Sequence, residues 1–113
     1  MGGSEKKLPE EEMSFKIVFS DKADSDFNKI AYWYKSIREG LDDEFILCLE
    51  IEIEVVKRNP LLFEKIYENV RKTVLHRFPY NLYYIVEEDK IVVLAIAHQK
   101  RSRTTIINKL KRK

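Results

Sequence analysis

The chain has 113 residues, 44% of them apolar and 35% charged, with six Phe, six Tyr, one Trp and a formal charge of +2. That is enough for one small domain with its own core and too little for two, and the apolar content excludes general disorder. No apolar run reaches the roughly 18 residues of a membrane span, and one cysteine, Cys48, excludes an internal disulfide and a cysteine-built metal centre, so a cytoplasmic protein with no membrane partner, metal or cofactor is expected.

Residues 1–12, MGGSEKKLPEEE, combine Gly-Gly-Ser, a proline and a run of Glu with no apolar period. They read as a flexible, expression-derived leader, and the domain is expected to occupy 13–103, followed by a basic tail over 104–113. The first strand is SFKIVFS, where Phe15, Ile17 and Phe19 alternate with Lys16 and Val18. Ser20 or Asp21 then caps a helix whose apolar face is Ala23, Phe27, Ile30, Ala31, Tyr34 and Ile37, and Gly40 ends it. A second helix is expected from about Asp42, with Asp42, Asp43 and Glu44 at its positive end and Lys57 and Arg58 at its negative end. Within it LEIEIEVV, residues 49–56, alternates as a strand would, but Phe45, Leu49, Ile53 and Val56 fit a helical stripe. The RNP of 58–60 stops this helix, since proline cannot continue the ladder. Cys48 lies inside it as a small hydrophobe.

A loop is expected through LLFEKIYEN. From 70 to 78 the chain alternates again, with Val70, Lys72, Val74, His76 and Phe78 on one face and Arg71, Thr73, Leu75 and Arg77 on the other, and Pro79 turns it. NLYYIVE and IVVLAIAH flank the polar turn Glu88-Asp89-Lys90 as a hairpin. The second is apolar on both faces and is expected at the centre of the sheet. The order β-α-α-β-β-β gives an α+β fold, a helical hairpin packed on a small, mostly antiparallel sheet with its other face partly open. The tail TTIINKLKRK is expected as a frayed helix or a disordered segment with its charge in solvent.

Charge is unevenly divided along this order. Residues 1–12 sum to −2, residues 13–64 to −4 and residues 65–113 to +8. A basic half of this kind suits an anionic partner. The greasy strand 91–97 therefore delivers His98, Lys100, Arg101 and Arg103 at its rim, either to meet a partner or to keep a sheet edge soluble.

The order and spacing of Arg71, the FPY of Phe78-Pro79-Tyr80, the paired Tyr83-Tyr84 and the closing AHQKR of Ala97 to Arg101 resemble the RelE/ParE superfamily of toxins from bacterial type II toxin-antitoxin systems. The resemblance covers residues 15–103. It implies the fold just described, a cognate antitoxin and a homodimer or a heterotetramer with it, and growth arrest when the antitoxin is lost. The superfamily divides between mRNA interferases acting at the ribosome and ParE-type proteins that poison DNA gyrase. FPY followed by a strand closing in His-x-x-Arg is more similar to the plasmid-stabilisation, ParE-type branch.

Metal-independent RNA cleavage needs a base for the 2′-hydroxyl, cations for the phosphate and an acid for the leaving oxygen. If the chain is a nuclease, the candidates are His98, Arg71, Arg77 and Tyr84, with Glu64 as a further neighbour if the fold brings it there. On one strand Arg71 and Arg77 would stand roughly 20 Å apart, too far to grip one phosphate easily. A histidine ending an apolar strand more often bonds to a loop, and strand arginines more often pair with acidic helices. Between Pro60 and Arg71 only Lys65 is basic, where interferases carry a cluster. Gyrase inhibition needs only a docking surface, offered by Arg71, Arg77, His98, Lys100, Arg101 and Arg103 and by exposed parts of Tyr32, Trp33 and Tyr34. The leading expectation is thus a ParE-like gyrase inhibitor; the alternatives are a ribosome-dependent endoribonuclease and an inactive paralogue that retains only antitoxin binding.

Overall fold

A computed structural model describes residues 15–111 of the chain. The leader expected over 1–12 lies outside the described residues. The elements run β1 (Lys16–Phe19), α1 (Asp21–Ile37), α2 (Leu41–Arg58), β2 (Glu64–Tyr67), β3 (Val70–Val74), β4 (Tyr80–Glu87), β5 (Lys90–His98) and α3 (Arg103–Lys111). The strands form one sheet in the order β1-β5-β4-β3-β2, parallel only between β1 and β5.

The helical hairpin forms as its sequence dictates. Ser20 caps α1 by accepting from the Ala23 N–H at 3.1 Å. Gly40 sits at φ 92, a left-handed conformation that any Cβ would strain, and it lets the chain reverse into α2. LEIEIEVV is helical, and its buried stripe is Phe45, Leu49, Glu52 and Val56, leaving Leu47, Ile51 and Val55 exposed and Ile53 half-buried. The Glu52 carboxylate accepts from the Thr73 hydroxyl of β3, so the one charge on the buried stripe is partnered and ties α2 to the sheet.

The core on this face joins Ala23 and Tyr34 of α1, and Phe45 and Leu49 of α2, to Leu82, Val93 and Ile96 of the sheet, with Leu75 and Phe78 from the β3–β4 connection. Tyr34 and Phe45 are packed edge-on against Phe78 and Tyr80, with ring centroids 5.1–6.2 Å apart.

Three features differ from the sequence reading. The loop expected before residue 70 contains β2, which hairpins onto β3 through Glu68-Asn69; with four residues and mixed charge, EKIY has too short a pattern to register. The strand expected to reach residue 78 stops at Val74, and Arg77 sits off it at φ 77, where a hydrogen bond from its Nη2 to Glu44 Oε1 at 3.1 Å holds it. The tail, expected to be frayed or disordered, is the helix α3 over 103–111. Ser102 caps it through the Thr105 N–H, and Ile106 is 2% exposed against Val70, Tyr83, Ala95 and Ala97. The sheet face expected to be partly open is therefore covered where α3 crosses it, and this explains why β5 is apolar on both faces. β5 is interior, between β1 and β4, while β4 holds the middle position of the five.

Replacing Ile106 by Ala should destabilise the fold by about 2–5 kcal/mol, the range for removing a buried aliphatic chain. A urea titration checks this: the midpoint falls with the slope unchanged if α3 is part of the cooperative core, and it stays in place if α3 is a solvated appendage.

Candidate functional site: a basic cleft beside β5

β1 pairs with β5 only from Lys16↔Lys90 to Phe19↔Val93. After Phe19 the chain turns into α1, so the outer edge of β5 beyond Val93 has no strand beside it. Two α1-side groups satisfy that edge. The Ser20 hydroxyl donates to the Leu94 carbonyl at 3.1 Å, and Asp26 Oδ2 accepts from the Ile96 N–H at 3.0 Å. Leu94 is the extra residue of a bulge, because Tyr83 pairs with Ala95 and Tyr84 with Val93.

Docked this way, α1 stands beside the end of β5, and α3 returns from the other side. Between them lies a cleft of about 380 Å3. Lys22, Asp26, Lys29 and Ile30 of α1 form one wall and Ile106 and Lys109 of α3 the other, with Tyr80, Ile96, Ala97, His98 and Arg101 between. Asp26 is the cleft's carboxylate, and it is already engaged by the Ile96 amide and by the Lys22 ammonium at 3.1 Å. Lys29, Arg101 and Lys109 make no ion pair among the described residues. The cleft is a concave surface with excess positive charge, and it attracts anions.

His98 ends β5 at this cleft. Its Nδ1 accepts from the Lys100 N–H at 3.0 Å, which leaves the ring proton of that tautomer on Nε2, and its ring meets Tyr80 edge-on with centroids 5.4 Å apart. Lys100 contributes its backbone to this turn and keeps its side chain exposed.

The other candidates are elsewhere. Arg71 and Tyr84 are cross-strand partners, about 13 Å along β4 from the Tyr80–His98 rung. The Arg71 Nη1 donates to the carbonyls of Leu61 and Phe63 at 3.0 and 2.7 Å, pinning the α2–β2 connection. Tyr84 is fully buried and donates to the Pro60 carbonyl at 2.6 Å. Burial pushes its phenol up to about 12, against the pull of the Arg71 guanidinium and with a push from the Glu52 carboxylate. Arg77 pairs with Glu44 of α2, and Arg103 donates to Glu64 at 2.7 Å, so Glu64 is engaged there. Tyr34 is core, whereas Tyr32 and Trp33 are exposed. The fold thus gathers His98 and Arg101 from the candidates and sets Arg71 with Tyr84, Arg77 and Arg103 in three other places. Sequence reading missed Lys22, Asp26, Lys29 and Lys109. The first three stand at i, i+4 and i+7, one face of a helix, and that spacing was the available signal. Among the described residues no group of His, Cys, Asp and Glu is placed to hold a metal ion, and no helix is long and apolar enough to cross a membrane.

The arrangement of hairpin and sheet recurs in solved structures. A chain of the chromosomal ParDE TA system from P. aeruginosa superposes with a TM-score of 0.67 at 16% identity, covering 76% of this chain and 97% of that one. The isolated E. coli RelE toxin superposes with a TM-score of 0.57 at 16% identity, covering 88% and 98%. These likenesses show that the fold, a helical hairpin on a mostly antiparallel sheet, is shared with both structures. No curated protein matches the chain by sequence. The family described as the ParE toxin of type II toxin-antitoxin system, parDE, matches residues 17–103, and the chain belongs to it. Membership makes it a type II toxin and implies an antitoxin partner.

The buried phenols predict a pH dependence. Tyr84 and Tyr34 ionise near 12 in the folded chain and near 10.0 when unfolded, so the native state alone keeps these protons between those values. Stability is then fully present below pH 10 and declines as pH rises toward 12. Denaturant midpoints measured across that window should fall, and fall less steeply in Tyr84→Phe.

Proposed function

We propose that this toxin acts as ParE-type proteins are expected to, by docking on DNA gyrase in the cytoplasm, and that its cognate antitoxin neutralises it by covering the basic cleft with acidic side chains. The observation that carries this reading is the fate of the nuclease candidates. Of these, Arg71 is held by two carbonyls, Tyr84 is interior and hydrogen-bonded, and Arg77 is paired with Glu44. A metal-independent nuclease needs base, acid and cations around one phosphate, and these residues do not converge on one. Docking needs only an accessible surface. The cleft supplies one, flanked by exposed Lys100 and Arg101.

One observation favours the second reading, a ribosome-dependent mRNA interferase: His98 shares its cleft with Lys29, Arg101 and Lys109. A paralogue that binds antitoxin alone would be inactive on both targets. The experiment is supercoiling by purified gyrase with increasing toxin, using antitoxin-bound toxin as the control. The expected result is inhibition with cleaved DNA trapped, retained by His98→Ala. Unaffected gyrase, together with cleavage of ribosome-bound mRNA that His98→Ala reduces by orders of magnitude, would overturn the proposal in favour of the nuclease.

A further inference from the structure

The basic cleft does not end at Lys22 and Lys109. On their far side a second depression of about 470 Å3 runs toward the start of α1, with Leu94 and Leu110 as its apolar lining and Ser20 and Asp21 at its edge. Lys22 and Lys109 line both depressions. Each volume lies within the roughly 300–1,000 Å3 of small-molecule sites. The groove between α1 and α3 is therefore divided by function along its length. One end is apolar with a carboxylate at its edge, two ammonium groups stand in the middle, and the other end holds Lys29, Arg101 and His98.

We propose that this groove binds a nucleoside phosphate, with the base against Leu94 and Leu110 and the phosphate among Lys29, Arg101 and Lys109. The order of chemistries carries the assignment. A bare inorganic anion uses only the basic end, and a purely apolar ligand leaves three cations desolvated against nothing. A nucleoside phosphate matches all three parts. Its flat ring covers apolar side chains, its sugar hydroxyls and ring amino groups find an acceptor in the Asp21 carboxylate, and its phosphate meets unpaired cations. The Ser20 hydroxyl has no proton to offer a ligand, because it donates to the Leu94 carbonyl. The site is independent of the gyrase reading, since a free nucleotide and a nucleotide within a strand present the same groups.

The test is titration of the full chain with adenosine 5′-monophosphate, adenosine, inorganic phosphate and a fluorescein-labelled oligothymidine. The expected result is binding of the monophosphate tighter than of adenosine or phosphate alone, weakened by added salt. Arg101→Glu and Lys109→Glu, both at exposed positions, should each weaken it by about tenfold or more, as loss of a charge-assisted contact implies. Lys65→Glu makes the same charge change on β2, outside the groove lining, and should leave binding within about twofold. Circular dichroism of each variant verifies the fold. Oligothymidine binding that the monophosphate displaces assigns the site to a strand, and monophosphate binding without it assigns a free nucleotide. No binding of either probe at about 1 mM, phosphate binding as tightly as the monophosphate, or equal weakening by Lys65→Glu would each overturn the proposal. Gyrase inhibition by a chain that binds no nucleotide would refute this inference alone, and nucleotide binding without gyrase inhibition would refute only the gyrase reading.

Discussion

The outer edge of β5 past Val93 is the constraint on which the remaining architecture depends. A strand interior to the sheet along its first half becomes an edge along its second, because β1 is only four residues long and gives way to α1. Exposed ladder groups in a buried apolar strand are costly unless partnered. Ser20 and Asp26 partner them, taking the place that a continuing β1 would have filled. The same two contacts fix where α1 lies, and hence where its Lys22 and Lys29 stand relative to His98. Structure and site have one cause here.

Covering the second face of the sheet has an equally direct effect on charge. With Ala95 and Ala97 small enough for close approach, α3 lays Ile106 on the sheet and leaves Lys109 at the groove. The basic half of the sequence is then divided by geometry into two populations. Arg71, Arg77 and Arg103 bind carbonyls or carboxylates and hold loops, the β3–β4 connection and the start of α3 in place. Lys29, Arg101 and Lys109 are unpaired among the described residues and face the same concavity. An excess of positive charge in the sequence thus becomes a localised attraction for anions only after folding has used part of it.

Much of this fold was legible before any coordinates. Periodicity marks β1 and α1, the polar turn Glu88-Asp89-Lys90 between two apolar runs marks the β4–β5 hairpin, and the end charges of α2 decide in favour of helix against the alternation of LEIEIEVV. What escaped has identifiable physical reasons. Glu52 lies on a core stripe that no apolar pattern reveals, because its carboxylate is accommodated by Thr73, a residue 21 positions away. β2 is too short to show a period. The alternation through Phe78 continues past the real end of β3, since Leu75 and Phe78 of the connection are buried in the core with Tyr34 and Phe45 of the helices. α3 offers only Ile106 and Leu110 to the sheet within a strongly basic segment, so composition pointed to solvent. In the site, His98 and Arg101 were visible at a strand end, whereas Asp26 and its neighbouring lysines acquire meaning only when α1 is placed beside an unpartnered edge.

This gives the toxin fold a local explanation for its basic groove: side chains of the first helix finish the edge of a strand, and the cations that flank them are left facing outward. The most direct measurement is amide hydrogen exchange at Ile96 in the native chain and in Asp26→Ala. Protection of Ile96 comparable to that of the paired β4–β5 amides, lost in the variant while those amides stay protected, is the predicted result. An Ile96 amide that exchanges freely in the native chain, or equally slowly without the Asp26 carboxylate, would contradict the account.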